Sequence, residues 1–154
     1  MKMILYTLFF LSAVSHKAAT QNVNLIIEVN EKLTYEEITN LYIEVGTDSD
    51  SKRLNVSYVP GDLLLSQDAW NIINADTSKR LSLYFTYNTF SKNRHETATF
   101  YRDLTRHDLK QPYLILNIYD FRDKKYRHWY QYLTNNDFLA ELRFPNSGVF
   151  IRKK

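Results

Sequence analysis

The sequence predicts an all-β protein: an antiparallel β-sandwich of about seven or eight short strands, with one or two short helical turns. Three observations carry this. Aromatic residues are abundant, 12 Tyr and 9 Phe among 154 residues, and aromatic side chains favour strands. Short apolar segments alternate with polar positions and are separated by turn chemistry every 8 to 12 residues. No segment has the length and 3.6-residue periodicity of a crossover helix, which argues against a parallel α/β sheet. Immunoglobulin-like and transthyretin-like sandwiches are the fold-level analogies, and such folds host many unrelated functions.

The N-terminal end reads differently. Lys2 precedes an 11-residue apolar run, Ile4 to Val14, too short to span a bilayer and of the length of a secretory h-region. Ala13-Val14-Ser15 is a small-x-small cleavage motif, and cuts as late as Ala18 to Thr20 fit as well. Residues 1–20 are therefore expected to be a signal peptide and 21–154 a single domain, secreted or periplasmic. The chain has no cysteine, which excludes a disulfide framework, thiol catalysis and zinc–thiolate sites. No second apolar segment of spanning length follows, so the expected protein does not cross a membrane. Asn55-Val56-Ser57 is a glycosylation sequon that matters only in a eukaryotic host.

Val23 to Val29 alternates as a first strand. Thr34 and Glu37 have capping-box spacing, and Leu33 with Ile38 fits the accompanying staple, predicting a helical turn that enters a strand near Asn40. A polar loop at 46–53 leads to a strand through Leu54 to Tyr58, and Pro60-Gly61 marks a tight turn. Ser66 or Asp68 is positioned to cap a short helix carrying Trp70 and Ile73 inward. Residues 80–90 and 96–104 form two further strands around a polar loop. Phe138 to Phe144 and Val149 to Lys153 flank a hairpin turn at 145–148.

The most informative segment is Tyr113 to Leu133, YLILNIYDFRDKKYRHWYQYL. A hairpin with a loop at Arg122–Lys125 places Asp120 opposite Arg127 and avoids setting Arg122 against Lys125. One face is then aliphatic: Leu114, Leu116 and Ile118 with Trp129 and Leu133. The other carries Tyr119, Tyr126, His128, Tyr130 and Tyr132, hydroxyls and an imidazole beside flat rings, which suits a half-wet recognition surface. These five are the candidate binding residues.

Catalytic signals are sparse. The histidines have no HxH, HxxxH or HExxH spacing, and glycine-rich phosphate loops, GxSxG elbows and EF-hand loops are absent. No metal, cofactor or catalytic residue is expected. The leading reading is an exported, non-catalytic binding module whose partner is another protein or a second copy of itself. The alternative is a carbohydrate-binding module, or a secreted hydrolase assembled by the fold from scattered carboxylates and His107. Charge is divided along the chain. Residues 22–76 hold three basic and ten acidic residues, a balance of −7, and residues 77–154 hold fifteen and seven, a balance of +8. Interleaved strands neutralise this division, whereas opposite faces would favour head-to-tail association. Nucleic acid is not an expected partner, since the basic residues form no dense run.

Overall fold

Alternation places the strands. The computed structural model describes residues 20–47, 49–91 and 94–147; the expected leader, apart from Thr20, and the expected strand at 149–153 lie outside them. The described chain runs through β1 (Thr20–Val23), β2 (Leu25–Val29), β3 (Lys32–Leu33), β4 (Ile38–Gly46), β5 (Ser51–Asn55), β6 (Ser57–Val59) and β7 (Asp62–Ser66). Then come α1 (Gln67–Ala75), β8 (Arg80–Ser91), β9 (Arg94–Leu104), β10 (Leu114–Asp120), α2 (Lys124–Tyr130) and β11 (Phe138–Arg143). The expected all-β, sandwich-like architecture is observed, built of three sheets ordered β1-β7-β6, β11-β10-β2-β3 and β5-β4-β8-β9.

Alternate residues of β2, β10 and β8 enter one core. Leu25, Ile27 and Val29 of β2, Leu114, Leu116 and Ile118 of β10, and Leu81, Leu83 and Phe85 of β8 are all buried there. At roughly 1.5–3 kcal/mol for each fully buried large apolar side chain, this is the main stabilising term. Ser66 caps α1 as expected, its hydroxyl accepting from the Ala69 N–H at 3.1 Å, and Ile73 is buried while Trp70 packs half-buried against the core. At the far end of α1, Arg106 closes the turn. Its guanidinium donates to the carbonyls of Ile73, Asp76 and Lys79 at 2.9, 2.6 and 2.7 Å. Gly61 takes φ +96° in the tight turn after Pro60, a torsion that glycine adopts without strain.

Two local expectations are overturned. Thr34 caps no helix; its hydroxyl and N–H both bond the Ile27 carbonyl, pinning the chain to β2, and a bend leads directly into β4. The tertiary bond to β2 outcompetes the local capping pattern. Asn40, at φ 49°, sits in a register shift within β4. Most consequentially, residues 113–133 are not a hairpin: β10 is a strand, but Lys124–Tyr130 is helical and Gln131–Leu133 a 3-10 turn. The neighbours of β10 are β11, antiparallel, with Ile118 opposite Ala140, and β2, parallel, with Ile118 opposite Val29. The parallel ladder is the one departure from an antiparallel architecture among the described strands. It joins segments nearly ninety positions apart, a separation that no tight turn constrains.

The same topology mixes the charge halves. In each four-stranded sheet two strands come from the acidic segment and two from the basic one, with β2 beside β10 and β4 beside β8.

Candidate functional site

The five residues singled out in the sequence do not share a face. Tyr119, on β10, and Tyr126 and Tyr130, one turn apart on α2, close into a second aromatic cluster with Phe121. They are 5, 4 and 1% exposed, so they are packing residues and not a surface open to a partner. Tyr119 lies 4.4 Å from Tyr130 and 5.9 Å from Tyr126 between ring centroids. The Tyr126 hydroxyl donates to the Asn30 carbonyl at 2.9 Å, tying the helix to the end of β2. Burial, with Glu141 beside it, pushes the Tyr119 hydroxyl far above its ordinary value. His128 and Tyr132 are exposed, Tyr132 at 55%, on other sides of the helical segment. The correction has a simple cause. Residues 126 and 130 satisfy both a two-residue and a four-residue repeat, and the Asp123 cap, its carboxylate accepting from the Lys125 N–H at 2.9 Å, selects the helix.

A tyrosine-rich, half-wet sheet face does exist, on the outer side of β5-β4-β8-β9. The register aligns Tyr42, Tyr84 and Tyr101 across three strands. Tyr42 stacks on Tyr84 at 5.1 Å and 8°, and Tyr84 on Tyr101 at 5.5 Å and 24°. The Arg53 guanidinium lies 3.9 Å from the Tyr42 ring centroid, and Phe138 meets Tyr101 edge-on at 5.5 Å. Below the ladder, Glu44, Ser82 and Asp103 form a polar row, with the Ser82 hydroxyl donating to Asp103. Above it come Thr39, Thr86 and Thr99, then Asn88 with Thr97. The last row is Phe90 against His95, ring centroids 5.0 Å apart. Phe90 is 83% exposed, the most exposed large apolar residue described.

The face follows from strand alternation. Leu81, Leu83, Phe85 and Tyr87 take the inner side of β8, which leaves Ser82, Tyr84, Thr86, Asn88 and Phe90 outside. Because β4 pairs with β8 only as far as Tyr87, the β8–β9 hairpin continues past the sheet as a two-stranded arm, and Phe90 rides on it. Burial, with Glu44 close by, raises the Tyr84 hydroxyl above its ordinary value. Chemically the face offers ring edges, hydroxyls, amides and one exposed phenyl ring. Sequence reading missed it because Tyr42, Tyr84 and Tyr101 lie in three separate segments. The available signal was the two-residue repeat of polar and aromatic residues along 80–90 that the inner aliphatic set leaves over.

The histidine of the hydrolase reading finds no site. His107 is exposed, its ring paired with the Gln111 amide at 2.6 Å. The neighbouring Asp108 carboxylate turns back to accept from the Thr105 N–H at 2.7 Å. Among the described residues no group of acidic and histidine side chains is arranged to hold a metal ion, and no helix is long and apolar enough to cross a membrane. No family model, no curated protein and no solved structure matches the chain.

Proposed function

We propose that the protein is an exported recognition module that binds another protein through the outer face of β5-β4-β8-β9. The observation that carries this reading is Phe90. A phenyl ring 83% exposed loses the free energy of burying its apolar area unless a partner covers it. It stands on the same face as a tyrosine ladder flanked by threonine and asparagine. Large amphipathic rings amid small adaptable polar groups are what protein-binding surfaces concentrate. Export is supported by the apolar run at 4–14 behind Lys2.

The same geometry weighs against a sugar platform. Stacking on a sugar needs a free ring face, and from Arg53 to Phe138 each ring lies against its neighbour. What remains outward is edges and hydroxyls.

Phe90→Ser separates recognition from folding. Since the residue is exposed, the urea midpoint should hold to within about 0.5 kcal/mol. Partners captured by the wild-type protein from its native compartment should be lost or weakened roughly tenfold or more, the loss expected for an aromatic anchor. Equal capture by both proteins would remove the basis of this assignment.

A further inference from the structure

On the inner side of the β8–β9 arm, away from the tyrosine ladder, lies a trench. Its middle is a cavity of about 630 Å³ walled by Tyr87, Thr89 and Glu96 of the arm and by Asn30, Asp120 and Arg122 of the body. It runs into a cavity of about 480 Å³ that shares Lys32, Tyr87 and Thr89, adds Glu36 and Glu37, and wraps the edge of β8 to reach Asn88 and Phe90. At the other end it runs, through Asp120 and Arg122, into one of about 420 Å³ that reaches Arg127 and Asp137.

The charges along the trench are unequal. Four cations, Lys32, Arg122, Lys125 and Arg127, face six carboxylates, Glu36, Glu37, Glu96, Asp120, Asp123 and Asp137, in a chain whose net charge is +3. Three of the four cations are already engaged. Arg122 is clamped by the buried Asp120 at 2.6 and 2.8 Å. Lys125 pairs with Glu31 at 3.5 Å and lies over the Tyr126 and Trp129 rings. Arg127 donates to the Phe121 carbonyl at 2.8 Å. Glu36 and Glu96, by contrast, make no hydrogen bond or salt bridge among the described residues. Lys32, the fourth cation, is open as well, so the negative character of the trench rests on the balance of its lining, four cations against six carboxylates.

Its walls also offer backbone. The last register pair between β4 and β8 is Ile38 with Tyr87, so Thr89 to Ser91 have no strand beside them on that side among the described residues. Across the mouth, β3 is an exposed edge strand. Free strand edges supply the N–H and C=O groups that an extended chain pairs with.

We propose that this trench binds an extended cationic peptide segment of a partner protein. Its lysine or arginine side chains meet Glu36 and Glu96, and its backbone lies along the free edge of β8. The trench reaches Phe90 at one end but none of Tyr42, Tyr84 and Tyr101, so a variant of the tyrosine ladder tells it apart from the face proposed above.

Fluorescence anisotropy tests it on the full chain. The probe is a labelled peptide of about ten residues, roughly 33 Å when extended, alternating lysine with threonine. The lysine peptide should bind, and its glutamate-for-lysine counterpart should bind at least about tenfold more weakly, since like charge now faces the carboxylates. The double variant Glu36→Gln/Glu96→Gln should weaken the lysine peptide about five- to tenfold, the loss of two exposed charge contacts, while Arg53→Ser, at the far end of the tyrosine ladder, leaves it unchanged. Both glutamates are exposed, and an unchanged unfolding midpoint verifies that the variant is folded. Equal affinity for the two peptides, an unaffected double variant, or no binding up to about 1 mM would each overturn the proposal. So would full displacement by an equimolar linear polyamine, which would make this a site for small cations and not for a polypeptide.

Discussion

Tyr130 and Tyr132 are two positions apart, and their exposure differs, 1 against 55%. In a strand they would share a face; on a helical turn they point to different sides, and only Tyr130 reaches the cluster around Tyr119. Tyr130→Ala should therefore cost about 3–5 kcal/mol of stability, the usual range for truncating a buried aromatic residue. His128→Ala, at an exposed position a half-turn away, should stay within about 0.5 kcal/mol. Urea unfolding of the two variants decides the matter, and similar losses for both would mean that α2 does not pack as described. Glu141 carries a different lesson. It is buried, held by Arg143 at 2.6 Å and by the Tyr119 hydroxyl at 3.4 Å, and nothing local in FLAELRF marks it as an interior charge. Alternation along that segment assigns its direction; only the covering layer assigns its burial.

Elements whose signals agreed formed as read. Ser66 ahead of the apolar i, i+3 pair Trp70 and Ile73 became the cap of α1, and Pro60-Gly61 became a turn with glycine at positive φ. Where two signals competed, the outcome depended on contacts far away in sequence. The 113–133 segment has strand composition throughout, yet β10 already takes β11 on one edge and β2 on the other. Both edges of β10 are filled, so residues 124–130 have no ladder to join, and the Asp123 cap lets them satisfy their backbone internally. Asp123→Ala should cost about 1 kcal/mol, with loss of ellipticity from the α2 segment as the midpoint falls. An unchanged midpoint would show that the helix is held entirely by its tyrosines.

At the scale of the molecule, the tyrosines make stability sensitive to alkali. The hydroxyls of Tyr58, Tyr84, Tyr87, Tyr119 and Tyr126 are all raised above their ordinary value near 10, in each case mainly by burial. A group whose folded value is raised contributes fully below its unfolded value and loses that contribution as pH climbs above it. The unfolded chain releases these protons first, so the slope of stability with pH is negative there. The urea midpoint should be steady near neutrality and drop above about pH 10, with tyrosinate absorbance rising together with unfolding. A midpoint unchanged between about pH 9 and pH 11 would mean that these hydroxyls ionise freely in the native state.

Local chemistry by itself determined the all-β class, the inward aliphatic sets of β2 and β10, the α1 cap and the turn at Gly61. Each rests on the two-residue repeat or on the torsion of one residue, both written in adjacent positions. Tertiary structure alone decided which strands are neighbours, that residues 124–130 are helical, and which tyrosines face solvent. Strand pairing is set by core faces brought together across as many as ninety residues, as between β2 and β10. The tyrosine ladder exists only once β4, β8 and β9 stand in register, since no single segment of the chain contains more than one of its rings.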